Sequence, residues 1–280
     1  MSVRIVVDST ADISDAVRAK LSVVPLTVHF GDREYIDGVT INHKQFYEML
    51  VESDMLPTTS QPSPEAFAQV FRSAVEAGDQ VVALTVSSKL SGTCQSAMIA
   101  AADFPGQVWV VDTQTVAIGS GILAELALRM KEQGLSAQEI VNKLETEREK
   151  VHVIALLDTL EYLKKGGRIS KTVAFTGGLL SIKPVVTIRD GEISILGKAR
   201  GSKQGNNLLA TEIQKCGGVD FCKPLMLGYT GLSDALLEKY VLDSGSLWDG
   251  HGDCMQSTAI GSVIGTHAGP GAIAVAFFSA

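Results

Sequence analysis

A chain of 280 residues exceeds the usual size of a single hydrophobic core, so one large or two medium α/β domains are expected. Apolar residues make up 45% of it, enough for a sizeable core and inconsistent with a disordered chain. Basic residues number 24 against 31 acidic ones, a net charge of −7 that leaves no electrostatic reason to seek nucleic acid or an anionic membrane.

The chain opens on MSVRIVVDST, where VRIVV (3–7) reads as a buried strand and not as a signal peptide. The four cysteines, Cys94, Cys216, Cys222 and Cys254, show no CxxC spacing, and are expected reduced in a cytoplasmic protein. No apolar run reaches about 18 residues, so no stable membrane insertion is expected. After the first strand, DSTADIS is a polar turn that can cap a helix at 14–20. VVPLTVHF (23–30) and REYID (33–37) read as strands joined through Gly31-Asp32. Helices are predicted over 42–53 and 63–77, with PTTSQPSP between them as a rigid, hydroxyl-rich loop. QVVALTV (80–86) is a strand, SSKLSG a loop, and TCQSAMIAAA a helix of small residues. Strands at 107–112 and 151–157 bracket helices over 116–132 and 136–149. Strands alternating with helices at this spacing predict right-handed crossovers and a parallel sheet.

The second half changes character. KPVVTIRDGEISIL (183–196) is a hairpin around Asp190-Gly191, which marks antiparallel pairing. Strands at 224–229 and 272–277 follow, with helices near 204–216 and 232–243. The predicted architecture is α/β with two domains: a parallel-sheet, Rossmann-like N-terminal domain over 1–155 and a mixed-sheet domain over 156–280.

In a doubly wound sheet the loops after the strands' carboxyl ends gather at one edge, where ligands bind. DSTAD, SSKLSGT and DTQT (112–115) are therefore expected to meet. Ser91, Gly92 and Thr93 sit near a helix N-terminus, whose free N–H groups and positive dipole end suit a carboxylate or phosphate; alternatively Ser91 merely caps the helix. Thr59 and Ser60 either offer donors from a proline-stiffened loop or belong to a plain connector. In GGRISKT (166–172), Arg168 is a solvated surface residue or an anion clamp, and Lys164 and Lys165 beside it suit one phosphate or one acidic partner. GTHAGPG (265–271) places His267 in a glycine-rich, mobile turn, and its glycines precede a strand, so it is no dinucleotide fingerprint. WDGHGDC has no recognised ligand spacing, and neither metal nor cofactor is expected.

Several stretches together resemble one family: VDSTADI, TSQPSPEAF, SSKLSGTCQSA, VDTQTVAIGSG, LDTLEYLKKGGRIS, LLSIKPVVTI and IGTHAGPGAIAVAF stand in the order of the DegV family of bacterial fatty-acid-binding proteins. The resemblance runs from residue 5 to 278. It implies two α/β domains holding one long-chain fatty acid, its carboxylate met by Thr59 of TSQP, Ser91 and Gly92 of SSKLSGT and His267 of GTHAGPG. It also implies delivery to an ATP-using fatty acid kinase, which phosphorylates the carboxylate so that the acyl phosphate feeds phospholipid synthesis. Arg168 of GGRIS and Arg200 of KAR match positions near the phosphorylated head group or the kinase-facing surface. After Arg200 the family usually continues with several basic residues, whereas GSKQGNN has only Lys203.

The expected protein is a carrier that does not itself catalyse. One rival is a serine hydrolase or acyltransferase pairing Ser91 with His267, with Asp8 or Asp112 as third member. Another is a sugar- or nucleotide-phosphate protein, which would need a polar site.

Overall fold

The computed structural model describes residues 2–53, 55–169 and 182–280. Ser170–Thr172 of GGRISKT and the first three residues of LLSIKPVVTI lie outside them. Among the described residues the strands are β1 (Val3–Asp8), β2 (Ser22–Val24), β3 (Thr27–Phe30), β4 (Arg33–Ile36), β5 (Thr58–Ser60), β6 (Gln80–Thr85), β7 (Val108–Asp112), β8 (Val151–Leu156), β9 (Ile182–Arg189), β10 (Glu192–Arg200), β11 (Met226–Tyr229), β12 (Gln256–Ala259) and β13 (Ile273–Phe278).

The N-terminal domain is built on a parallel sheet of order β2-β1-β6-β7. Its central strands are apolar on both sides because helices cover both faces. Ile5, Val7, Val82 and Leu84 pack toward the helices Ile118–Glu132 and Ala137–Glu147. Val6, Val81 and Ala83 pack toward Phe67, Phe71 and Ala97 of the helices Pro64–Glu76 and Thr93–Ala101. The strand order reverses between β1 and β6, so the loops leaving those two strands part there and open a crevice.

The C-terminal domain is built on a mixed sheet of order β10-β9-β8-β13-β11-β12, in which only β11 and β12 are parallel. Its hairpin turns through Asp190 (φ 53°) and Gly191 (φ 80°), the left-handed pair that a tight hairpin needs. The helices Gly201–Lys215 and Ala235–Asp243 cover one face. The other face looks back at Ile118–Glu132, which is buried on nearly every side because it lies between the two sheets. Gly119 allows that approach: a Cβ there would strike the Val153 side chain of β8.

Three local expectations change. VVPLTVHF is two strands, not one: it breaks at Pro25, with β2 in the parallel sheet and β3 in a separate antiparallel sheet of order β4-β3-β5. The strand over 151–157 does not extend the parallel sheet; β8 pairs antiparallel with β13 and β9, and the expected boundary near 155 falls inside it. TTS is a strand, β5, paired with β3 so that Thr59 stands opposite Val28.

Candidate functional site

An apolar cavity, partly open to solvent, lies against the inner face of the six-stranded sheet. Strand periodicity makes its wall. Val153, Ala155 and Leu157 alternate toward it while Ile154 and Leu156 point into the core behind. Ala155 stands in register with Ala274 on β13 and Val186 on β9, and all three line the cavity. Two facing alanines leave room that larger residues would fill. The wall is overwhelmingly apolar, which does not suit the sugar-phosphate reading.

One end is polar. Thr59, Ser91, Arg168 and His267 all line it, drawn from four separate segments. Thr59 Oγ1 lies 3.0 Å from His267 Nε2. Ser91 Oγ lies 2.9 Å from Thr93 Oγ1 and accepts from the Thr93 N–H at 3.3 Å, so it stands just ahead of the N-cap Gly92 of the helix Thr93–Ala101 and faces the cavity at once. The expected meeting of loops occurs at the crevice. Asp8, fully buried, accepts from the Thr10 N–H and hydroxyl and, through its other oxygen, from the Val86 N–H at 2.7 Å. Asp112 accepts from the Ser88 N–H at 3.2 Å, and the Ser87 N–H donates to Thr115 O at 2.9 Å. The DTQT residues serve as struts, while Val116 and Ala117 beyond them reach the cavity.

His267 is not in a mobile turn. It sits in the last turn of a helix, Ser262–Ala268, that ends at Gly269 with φ 72°. The local glycines disfavour that helix, but packing decides: a Cβ at Gly265 would strike Tyr47 and Phe46. Gly92 lies outside the apolar cavity, in an adjoining polar cleft that also takes in Ser91 and Arg168. Its lack of a side chain admits the Gln61 amide, whose Nε2 donates to Ser96 Oγ at 3.1 Å. Gln61, in the TSQP motif, is a contributor that the residue-level reading passed over. Arg168 donates through Nη1 to Gly166 O at 2.7 Å and through Nε to Leu90 O at 3.3 Å, joining two loops at the cavity mouth. Arg200 is exposed and stands apart. It ends the nine-residue β10, whose other end follows the hairpin tip that accepts the Ser87 hydroxyl at Gly191 O, roughly 27 Å away along an extended strand.

The hydrolase geometry does not form. His267 meets Thr59 rather than Ser91, and neither Asp8 nor Asp112 is bonded to His267.

Burial, and then the Arg168 charge, push His267 down to about 4, so the ring is neutral at pH 7. Its Nδ1 is buried with no hydrogen-bond partner among the described residues. If Nε2 carries the proton and donates to Thr59 Oγ1, the threonine proton is free to donate into the cavity. A histidine whose folded value lies below the ordinary 6.5 contributes stability that is complete above about pH 6.5 and lost as pH falls through about 4. The wild-type melting temperature should therefore drop more steeply than that of His267→Gln between those pH values. Parallel curves would contradict the burial of this ring.

A family model described as "Uncharacterised protein, DegV family" matches residues 2–280. A DegV domain-containing protein of Deinococcus radiodurans is 38% identical over 282 residues, covering 99% of this chain and 98% of its own. Among solved structures, a DegV family protein from Thermus thermophilus, described by its fatty acid binding, superposes with a TM-score of 0.89 at 35% identity over 100% of both chains. A stearic-acid-binding protein from Eubacterium ventriosum superposes with a TM-score of 0.88 at 30% identity, over 100% of this chain and 98% of its own. No helix among the described residues is long and apolar enough to cross a membrane. With a family model matched over residues 2–280 and a relative 38% identical over 99% of the chain, the chain belongs to the DegV family.

Proposed function

We propose that the cavity holds one long-chain fatty acid, with its carboxylate at Thr59, Ser91 and His267 and its chain along β8, β9 and β13. What supports it most directly is an apolar cavity at one end of which Thr59, Ser91 and His267 come together beside Arg168. Burying about 14 methylenes at about 0.8 kcal/mol each offers on the order of 11 kcal/mol before ordering costs. The carboxylate needs donors once desolvated, and two hydroxyls with a helix N-terminus supply them. The fatty-acid-binding neighbours, at 35% and 30% identity, support the same ligand class. In this reading the N-terminal domain supplies most of the head-group loops and the C-terminal domain most of the acyl wall, with the division just ahead of Val151. Delipidated protein titrated with palmitate should saturate at one molecule per chain, and acetate should not compete. No saturable binding would overturn the reading.

The protein is a carrier that presents the carboxylate to a fatty acid kinase, a role supported by the motif resemblance and by Arg168 at the mouth. Phosphorylation replaces a carboxylate with a more highly charged group, which a guanidinium suits better than it suits the starting acid. Arg168→Ala should bind palmitate with only a modest loss, since Arg168 bonds to backbone carbonyls and not to Thr59 or His267. With a fatty acid kinase and ATP it should form little acyl phosphate. Wild-type acyl phosphate formation per bound acid would return Arg168 to a purely structural role.

A further inference from the structure

The helix that carries His267 has no cap of its own. Its N-cap is Gly261, which offers no side chain, and the Gly261 N–H and the Ser262 hydroxyl are taken by residues more than 220 positions away in the sequence. Asp12 Oδ1 accepts from the Gly261 N–H at 2.8 Å, and Asp37 accepts from the Ser262 hydroxyl. Both carboxylates are buried. The same corner is held by Tyr47 Oη, 3.3 Å from Ile260 O, and by His43, whose ring nitrogens lie 3.0 Å from Ile260 O and 2.8 Å from Gly231 O. Backbone bonds from Gly265 N to Gly261 O (2.8 Å) and from Gly269 N to Gly265 O (2.9 Å) make the segment one short rod. Val263, Ile264, His267 and Ala268 on that rod line the cavity. His267 is six residues from the cap, roughly 9 Å at about 1.5 Å per residue, so a tilt at Gly261 reaches it directly.

We propose that Asp12, assisted by Asp37, is a positioning residue for the head-group site: from the N-terminal domain it caps the C-terminal helix that holds His267 against Thr59. The expected effect on ligand rests on the fatty-acid reading; the effect on His267 does not. Burial holds the Asp12 carboxyl well above the ordinary carboxylate range, so a neutral amide is a fair mimic of it.

The test is an NMR titration of His267 beside equilibrium binding of palmitate. In Asp12→Ala the ring should titrate nearer the ordinary 6.5 than about 4, and palmitate affinity should fall roughly tenfold. Asp12→Asn should keep both properties, because its amide oxygen still accepts from Gly261. Its melting temperature should fall all the same, since the amide nitrogen lands where Asp12 Oδ2 has no partner among the described residues. Should Asp12→Ala not fold, Ser262→Ala removes only the Asp37 hydroxyl bond and should shift both readings in the same direction by less. A folded Asp12→Ala with wild-type titration and affinity overturns the proposal, as does Asp12→Asn behaving like Asp12→Ala, or an unmoved Ser262→Ala. If the wild type binds no palmitate, the fatty-acid reading fails while the His267 titration still decides the positioning role.

Discussion

Replacing Thr59 and Ser91 together by alanine should lower the affinity for a long-chain fatty acid by roughly 10²- to 10⁴-fold, the largest loss expected at the head-group end. Each hydroxyl bond to a charged acceptor contributes about 1.5–3 kcal/mol, and about 1.4 kcal/mol is tenfold in affinity. The double replacement also takes from His267 Nε2 its partner among the described residues, so the ring at the head-group end loses the bond that orients it. The fold should survive. Thr59 is the middle residue of a three-residue edge strand whose ladder bonds to β3 are backbone, and the Ser91 hydroxyl bonds only locally, to the Thr93 N–H and hydroxyl two residues on. A folded double variant with wild-type affinity would remove the carboxylate from this end of the cavity.

Ala155→Phe should abolish tight binding from the other side of the problem, by filling the acyl tract. Ala155 faces Ala274 and Val186 across neighbouring strands, and a phenyl ring there occupies the space of about four methylenes. At about 0.8 kcal/mol each that is about 3 kcal/mol, or a loss of roughly 200-fold for palmitate. Overpacking a tight core usually destabilises it, but here the ring enters an existing void, so the melting temperature should hold or rise. An acid short enough to stop before Ala155 should bind the variant and the wild type alike. Equal palmitate affinity in a folded Ala155→Phe would mean that the chain lies elsewhere.

Much of this architecture is legible in the sequence because it is dictated locally. Runs such as Val3–Val7 and Val81–Thr85 can only be strands buried on both faces, and Asp190-Gly191 fixes its hairpin through backbone conformation. What was hidden depends on partners far away. Thr58–Ser60 lies between prolines and reads as a stiff loop, because nothing in it announces that β3 will pair with it. VHVIALL reads as one more strand of a parallel sheet, since its apolar run does not say which sheet receives it. The helix Ser262–Ala268 is masked by Gly265 within it, whose reason is contact with Tyr47 and Phe46 more than 200 residues earlier. The grouping of Thr59, Ser91 and His267 came from motif resemblance, and no spacing rule joins residues 208 positions apart. Arg200, grouped with Arg168 on the same resemblance, stands at the far end of its strand because β10 runs away from the cavity mouth.

If this chain carries a fatty acid as proposed, purified protein should reveal its cargo. Protein prepared without added lipid, denatured and extracted into organic solvent, should release one long-chain fatty acid per chain by mass spectrometry. The Ala155→Phe variant prepared in parallel should release little or none. An extract from the wild type that holds no fatty acid, joined by failure of the delipidated protein to take up palmitate, would rule out a fatty-acid carrier.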